Sequence, residues 1–239
     1  MKREKFFYIG FVFLSAVLLS SAAIIGNLVN TKNESIFAAA EAEEKYIVID
    51  PGHGGEDGGC VSEGGVLEKD LNLSVSYKIT EILKTMGYNT VMTRTDDKML
   101  HEMYGDYSGN KKKTYDLKNR VRFAHDNQAD VFVSIHMNKF PVEKYSGLQV
   151  YYSSNHSDSI AVAEKVQCFC KEYLQNENER EIKRADKSIY VLDRVQVPGI
   201  LVECGFLSNP HETEKLCTDP YQKELSFVIA AALMEHFAS

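Results

Sequence analysis

The hydrophobic positions of this chain follow two patterns, short apolar runs and a longer helical spacing. The short runs predict buried strands at residues 46–50, 88–93, 131–135, 147–152 and 200–203. The helical spacing predicts amphipathic helices at residues 70–86, 116–127, 157–174 and 220–237. Because strands and helices alternate along the chain, we expect an α/β fold, a single domain with a mostly parallel twisted sheet and helices on both of its faces.

Three segments between these elements carry a weaker pattern. Residues 52–65 are rich in glycine and predict a loop. Residues 97–114 lack periodicity and predict a long excursion that is partly helical around residues 99–104. Residues 189–192 predict a short strand or a turn. The excursion is a candidate for a lid or for a surface that docks a partner protein.

The N-terminal segment differs from the rest of the chain. Three basic residues within the first five positions precede an uncharged apolar stretch. This pattern predicts a signal peptide or an N-terminal membrane anchor at residues 1–29, and the small residues at 20–23 and 38–40 keep cleavage open. A polar linker at residues 30–44 and a catalytic domain at residues 45–239 follow. Either alternative places the domain outside the cytoplasm.

The charge of the chain bears on its partners. The formal net charge of −7 argues against a nucleic-acid binder, which would usually carry a basic stripe. The lysines at positions 111 to 113 form the one basic run. We interpret this run as a solvated loop, with contact to an anionic polymer as the alternative.

The cysteines do not indicate a disulfide framework. The chain has five of them, an odd number, and their spacing matches no zinc ribbon. Cys168 and Cys170 are two positions apart in a predicted helix and therefore point in different directions. We expect mostly buried or free thiols, and one disulfide between distant cysteines stays open.

Polar residues follow three of the predicted strands where each strand ends. His53 comes soon after the first strand, His136 directly follows the strand at 131–135, and Glu203 ends the strand at 200–203. Ligands of α/β proteins bind beyond the carboxyl ends of parallel strands, so we expect these side chains to lie at one mouth of the sheet. Two histidines and a glutamate are residue types from which zinc hydrolase sites are built.

Four motifs in one order carry a family resemblance. They are Asp50-Pro-Gly-His-Gly-Gly55, Glu68 before a helix, Ser134-Ile-His-Met-Asn138 and Leu201-Val-Glu-Cys-Gly-Phe-Leu-Ser-Asn-Pro210. The chain from about Lys45 to Phe237 thereby resembles the zinc-dependent N-acetylmuramoyl-L-alanine amidases, in the branch of the LytC-like and AmiC-like cell-wall enzymes. Its architecture, a short hydrophobic N-terminal segment without wall-binding repeats, is most similar to the germination-specific amidases of spore formers.

The resemblance implies that His53, Glu68 and His136 bind Zn²⁺ and that Glu203 is the catalytic carboxylate. Three protein ligands suit a catalytic zinc, which leaves a position for water. A nearby carboxylate can accept the proton of that water and pass it to the leaving amine. Glu63 is the nearest competitor of Glu68 as the ligand from this part of the chain.

Each of these residues also has a structural alternative. His53 alone would be read as a loop residue, and His136 as a core histidine. Glu68 could simply favour the helix dipole at the start of its helix. Glu203 could pair with a buried arginine. The ordered set of four motifs favours the functional interpretation.

Further residues are candidates for supporting roles. Asn138 either hydrogen-bonds the substrate or caps a turn. Arg120 either binds a substrate carboxylate through its planar fork or lies in a structural ion pair, which we favour. Arg94 occupies another arginine position of the family. Asp50 and Asp57 are candidates to orient the ligand histidines.

The function that these patterns predict is zinc-dependent hydrolysis of the amide between N-acetylmuramic acid and L-alanine in peptidoglycan. The germination-type resemblance implies a role in spore cortex maturation toward muramic-lactam, on the extracytoplasmic side, with an activating protein partner as an option. The alternatives are a peptidoglycan-binding module without activity and a zinc carboxypeptidase on stem peptides. A phosphate-binding loop at residues 52–65 is disfavoured because it has neither a Walker lysine-serine pair nor a GxGxxG helix start.

Overall fold

A sheet in the order β2-β1-β3-β6-β4-β5 organises residues 44–238, the part of the chain that the computed structural model describes. The predicted signal or anchor segment at 1–29 and all but the last residue of the predicted linker at 30–44 lie outside the described residues. Within 44–238, none of the helices combines the length and the apolar character that a bilayer crossing requires. The strands are β1 (Tyr46–Pro51), β2 (Asn89–Met92), β3 (Val131–Asn138), β4 (Gln149–Tyr152), β5 (Lys183–Arg184) and β6 (Gly199–Phe206).

Most of the sheet is parallel, as the alternation of elements predicts. β1 pairs in parallel with β2 and with β3, and β3 pairs in parallel with β6. β4 runs antiparallel to β6 and parallel to β5 at the edge. The carboxyl ends of β1, β3 and β6 therefore meet at one edge, where His136 and Glu203 are direct register partners.

Helices cover both faces of the sheet, which confirms the predicted α/β architecture. The helices are α1 (Glu68–Thr85), α2 (Lys112–Asp126), α3 (Asp158–Tyr173), α4 (Tyr190–Arg194), α5 (Pro210–Leu216) and α6 (Asp219–Ala238). The apolar sides of α1, α3 and α6 pack on one face and form the larger core, while α2 and α4 pack on the other. Successive residues of β3 illustrate this, since Val131 and Val133 enter the larger core and Phe132 the smaller one.

Two regular elements escaped the sequence patterns. β5 is two residues long and fully exposed, so it offers no apolar alternation. The short helix α5 begins at Pro210, and the side chain of Asn209 accepts hydrogen bonds from the N–H groups of His211 and Glu212. This is an N-cap followed by proline at the first helical position, a signal that the sequence does contain.

Two expectations about the loops were wrong. Residues 190–194 form the helix α4 rather than a strand or turn. Residues 99–104 form turns rather than a helix, and α2 already begins at Lys112. The excursion is held by polar contacts, because the Leu100 N–H donates to Asp116 at 2.7 Å and Asn119 donates to the Leu100 carbonyl at 2.6 Å.

Candidate metal centre

Three predicted ligands from three separate elements converge at the carboxyl edge of the sheet. His53 lies in the loop after β1, Glu68 is the first residue of α1, and His136 lies in β3. One ligand atom from each lies within 4.8 Å of the others. Glu63, the competitor of Glu68, is exposed and does not belong to this group.

The hydrogen bonds of the two histidines orient their rings toward Glu68. His53 Nδ1 lies 2.9 Å from Asp57 Oδ2, so a proton on Nδ1 donates to that carboxylate and Nε2 keeps its lone pair. This Nε2 lies 3.2 Å from Glu68 Oε1, and His136 Nδ1 lies 2.8 Å from the same oxygen. Asp57 therefore makes the contact with His53 that its predicted orienting role requires.

Backbone groups hold the Glu68 carboxylate in place. The N–H of Cys60 donates to Oε2 at 2.7 Å, and the N–H of Met137 donates to Oε1 at 3.1 Å. Two imidazoles and one fixed carboxylate are a donor set that suits Zn²⁺. The residues present therefore fit the metal that the motifs imply.

Two glycines allow the ligands to approach the backbone closely. A Cβ on Gly52 would lie 2.3 Å from the His136 ring. A Cβ on Gly59 would lie 2.5 Å from Glu68 Oε2, and the φ of +69° at this position also favours glycine. His53 itself adopts a φ of 61° between these glycines. Glycine at these two positions of the loop at residues 52–65 thus leaves room for His136 and Glu68, which come from other elements.

The charges in the cluster shift the pKa values of the ligands in opposite directions. Burial would lower the pKa of His53, but its hydrogen bonds to Asp57 and Glu68 raise it to about 9. Burial opposes ionisation of Glu68, yet hydrogen bonds from His136 and His53 hold its pKa well below the usual range. The cluster therefore keeps a carboxylate ready for a cation.

Glu203 faces the same cleft without joining the cluster. It lies within β6 opposite His136, between buried residues of that strand, and its Oε2 is buried without a hydrogen-bond partner. The ion pairs of the described residues include no arginine partner for it. Burial, followed by the charge of Glu68, raises the pKa of Glu203 to about 8. A carboxyl group that exchanges a proton near neutral pH is suited to acid–base catalysis.

Arg120 lies in the ion pair rather than in contact with a substrate carboxylate. Its Nε donates to Asp116 at 2.9 Å, and its Nη1 donates to Asp50 at 2.7 Å and to the Pro51 carbonyl at 2.8 Å. Its Nη2 donates to the His53 carbonyl at 2.6 Å and to Asp116 at 3.4 Å. A guanidinium has five N–H donors, so none is left for a ligand.

Arg94 and Asp50 complete a buried network that we call the arginine anchor: Arg94, Arg120, Asp50 and Asp116. Arg94 donates to the carbonyls of Pro51 at 2.9 Å and Gly52 at 3.0 Å. Asp50 does not orient a ligand histidine, contrary to our expectation. Its oxygens accept from Arg120, Thr93 and Ser134, because it lies below the loop rather than beside the rings. The anchor fixes the backbone that carries His53.

The cleft above the cluster has a volume of about 260 Å³. Its lining includes His53, His136, Glu203 and residues 188–191. Asn138 is not part of this lining, and its carbonyl accepts from the Leu207 N–H at 2.8 Å. Its side chain stays a candidate for substrate contact.

Sequence reasoning missed two parts of the cleft. Lys113 lines it, although the lysine run was interpreted as a solvated loop. Tyr190 lines it from α4, a helix that the apolar pattern did not reveal. The basic run was a usable signal for the first, and no local signal marked the second.

The cysteines do not take part in disulfides. All five are free, with Cys170 and Cys204 buried and Cys168 and Cys217 exposed. Cys60 lies beside the metal cluster, and its thiol donates to the Met137 carbonyl at 3.4 Å. Burial and the charge of Glu68 raise its pKa well above the usual range, which keeps it a neutral thiol.

Comparison with known proteins extends these observations to a family. The family model Amidase_3, described as N-acetylmuramoyl-L-alanine amidase, matches residues 47–235. The germination-specific N-acetylmuramoyl-L-alanine amidase of Bacillus subtilis (strain 168) is 36% identical over 193 residues, which are 81% of this chain and 80% of that protein.

Solved structures agree with that match. The CwlD amidase from Clostridioides difficile, in complex with the GerS lipoprotein, has a TM-score of 0.76 and 34% identity over 82% of this chain and 99% of that chain. The N-acetylmuramoyl-L-alanine amidase AmiC2 of Nostoc punctiforme has a TM-score of 0.69 and 30% identity over 83% of this chain and 99% of that chain. The resemblance drawn from the four motifs is confirmed.

Proposed function

This chain belongs to the N-acetylmuramoyl-L-alanine amidase family, whose members are metal-dependent hydrolases, and on that premise we propose which residues perform its reaction. The reaction is hydrolysis of the amide that joins the lactyl group of N-acetylmuramic acid to L-alanine in peptidoglycan. His53, Glu68 and His136 hold Zn²⁺, and Glu203 transfers protons. The convergence of three ligand atoms within 4.8 Å, beside a carboxyl oxygen without a partner, is the observation that carries this proposal.

The metal and the protein side chains contribute different parts of the reaction. When bound, zinc acts as a Lewis acid that polarises a carbonyl and lowers the pKa of water. Glu203 accepts a proton from the attacking water and delivers it to the leaving amine of L-alanine. In the metal-free protein, burial and the charge of Glu68 raise the pKa of Glu203 to about 8, and a cation held by the three ligands would lower it toward the carboxylate form that accepts a proton.

The remaining residues of the site act by position. Asp57 keeps the Nδ1 of His53 protonated, so Nε2 stays available as a ligand atom. The N–H groups of Cys60 and Met137 hold the Glu68 carboxylate in one orientation. Arg120 fixes the His53 carbonyl and thereby the loop. These contacts reduce the movement that a ligand set would otherwise need before it binds metal.

We further propose that the enzyme acts outside the cytoplasm in spore cortex maturation toward muramic-lactam. The 36% identity to the germination-specific amidase of Bacillus subtilis supports this assignment. The CwlD amidase of Clostridioides difficile was solved in complex with the GerS lipoprotein. By analogy, an activating protein partner is part of the proposal.

Two other functions make different predictions. A binding module without activity would lack part of the catalytic set, whereas the ligands and Glu203 are present together here. A zinc carboxypeptidase would remove residues from the carboxyl end of the stem peptide. Product analysis separates it from an amidase, since only the amidase creates a new amino terminus on L-alanine.

The test is digestion of purified peptidoglycan with zinc-loaded wild-type protein and with Glu203→Gln. We expect new L-alanine amino termini with the wild type and a rate about 10²- to 10⁴-fold lower with the variant, which keeps the shape of the side chain but cannot take a proton. Mass spectrometry of the soluble products measures this. Zinc content, determined on both proteins, serves as the control because Glu203 lies outside the ligand set.

Equal rates for the two proteins would overturn the role of Glu203. Release of single amino acids from the carboxyl end, without new L-alanine amino termini, would replace the amidase assignment by a carboxypeptidase. A wild-type protein that acts only after addition of a partner would support regulated activation.

A further inference from the structure

The lysine run at positions 111 to 113 contributes one side chain to the cleft. Lys113 lies in the first turn of α2 and lines the cleft together with His53, His136 and Glu203. Its side chain is 49% exposed, so solvent and ligands reach it. The neighbouring Lys112 pairs with both oxygens of Glu56 and is not part of the lining. The two adjacent lysines therefore occupy different environments.

The ammonium group of Lys113 has hydrogen-bonding capacity to spare. It donates to Oδ2 of Asp57, the oxygen that also contacts His53. An ammonium group has three N–H donors, and this bond uses one of them. Two donors remain at the edge of a cleft that opens to solvent.

The other charged groups of the cleft do not compete for an anion. Among the residues that line the cleft, Lys113 and Arg120 are the lysine and arginine side chains. Arg120 donates all five of its N–H groups to Asp50, Asp116 and the carbonyls of Pro51 and His53. Glu203 carries charge of the opposite sign when it is ionised. Of the lysine and arginine side chains that line the cleft in the described part of the chain, Lys113 is thus the one with N–H donors left for a ligand.

We propose that Lys113 forms a cationic subsite that binds a free carboxylate of an acidic stem peptide. This inference rests on the proposed function, because it concerns the peptide side of the same amide. The inference adds that the peptide beyond L-alanine carries a carboxylate close to the scissile bond, as an acidic residue there would supply. Lys113 selects substrates in which this carboxylate is free over those in which it is amidated, since a carboxamide carries no charge.

Apolar side chains in the cleft lining strengthen such a contact. Leu117, Ile189 and Val191 contribute apolar surface to the cleft, and Tyr190 adds an aromatic ring. Apolar walls limit the water around a bound ion pair and so reduce the screening of its charges. A lysine at this position discriminates between two peptides better than one on an open surface would.

The experiment measures peptide binding in a protein that does not consume the peptide. Full-length Glu203→Gln protein, loaded with zinc, is titrated with two soluble muramyl tetrapeptides in a calorimeter. One has the α-carboxyl group of its acidic residue free, and the other has it amidated. We expect Lys113→Met in this background to raise the Kd for the free acid about fivefold and to leave the Kd for the amidated peptide unchanged.

Two matched variants control for fold and charge. Lys112→Met removes the same charge one residue away and should change neither Kd, and Lys113→Arg should restore most of the affinity for the free acid. A rise of both Kd values by the same factor would overturn the proposal, because it would assign Lys113 to holding Asp57. So would equal affinity of the Glu203→Gln protein for the two peptides.

The binding experiment and the proposed function fail in different ways. Absence of amidase activity in the wild type, with a carboxylate-dependent Kd, would remove the reaction and keep the subsite. Amidase activity with equal affinity for both peptides would keep the reaction and remove the subsite.

Discussion

The arginine anchor and the pocket around Glu203 lie next to each other, yet they differ in whether their buried polar atoms have hydrogen-bond partners. In the anchor, Arg120 uses all five of its N–H donors and Asp50 accepts from three different side chains. In the pocket, Glu203 Oε2 has no hydrogen-bond partner. The pKa of Asp50 lies below its usual value and that of Glu203 lies well above it.

This difference distinguishes a region that supports the backbone from a region that is suited to a reaction. A buried network in which every polar atom is paired holds one geometry and has nothing left to offer a ligand. A buried carboxyl group without a partner destabilises the fold, and such groups persist where they serve a reaction. The same residue type, an acid in a buried strand, therefore forms part of a frame in one region and is a candidate reactive group in the other.

The comparison predicts that breaking the anchor has the largest effect on stability. Arg120→Met removes the cation that neutralises Asp50 and Asp116, and we expect the free energy of unfolding to fall by about 3 to 5 kcal/mol. Chemical denaturation of the metal-free protein measures this. Arg122→Met on the same helix is the control, because its ion pairs with Asp106 and Asp126 are exposed and should matter by less than about 1 kcal/mol. Equal losses would show that the anchor is not a supporting frame.

The pocket should respond to pH in the opposite direction from the anchor. The folded protein raises the pKa of Glu203 from 4.5 to about 8, so between these values the folded state holds more protons than the unfolded state. Stability therefore falls as pH rises through this window, by up to about 1.4 kcal/mol per pH unit. For Asp50, whose pKa is lowered, stability is instead lost as pH falls below its usual value of 3.8.

Glu203→Gln tests this sign. We expect the metal-free variant to lose less stability than the wild type between pH 5.5 and pH 7.5, by about 2 to 3 kcal/mol. His53 also contributes a decline with rising pH, because its pKa is raised to about 9, but it does so in both proteins. Parallel stability curves for the two proteins would contradict a raised pKa at Glu203.

A smaller effect should follow from crowding the metal ligands. Gly52→Ala places a Cβ 2.3 Å from the His136 ring, so the ring must move away from Glu68. We expect zinc affinity to fall about 10- to 100-fold, as measured by competition with a chelator. Gly64→Ala in the same loop is the control, because its Cβ would lie 3.8 Å from the nearest atom. An unchanged affinity of the Gly52→Ala protein would mean that His136 does not depend on this contact.

The smallest effect should come from removing one bond of the anchor. Thr93→Val deletes the hydroxyl that donates to Asp50 at 2.6 Å and keeps the volume of the side chain. We expect a loss of about 1.5 kcal/mol in the free energy of unfolding, since Asp50 keeps Arg120 and Ser134. Thr85→Val on the surface, where the hydroxyl bonds the Glu81 carbonyl, should cost less than about 0.5 kcal/mol.

Much of the fold was predictable because its signals are local. The apolar runs of β1, β3 and β6 identify buried parallel strands, and the spacing in α1, α3 and α6 identifies their covering helices. β5 and α4 were missed or misassigned because they have two and five residues, too few to show a period. Their structure depends on the sheet edge and the cleft that they join.

The candidate site was predictable to the same degree. The motifs around His53, Glu68, His136 and Glu203 predicted the residues that the fold brings to one edge of the sheet, where the first three could hold a metal ion. The roles of the supporting residues were not, because each depends on what lies opposite. Arg120 had two possible partners in the sequence, and only its burial among Asp50 and Asp116 distinguishes them.

The sequence by itself determined the α/β class and the candidate metal-site residues, because strand and helix periods arise from backbone sterics within a few residues and the motifs are contiguous. The tertiary structure decided which charged side chains are already paired within the fold and which can still bind a ligand. Lys113 lies 56 positions from Asp57, and Arg120 lies 70 positions from Asp50. Contacts over such separations form only when the sheet brings strand ends together, so the basic run could indicate a charged contact but not which of its three lysines lines the cleft.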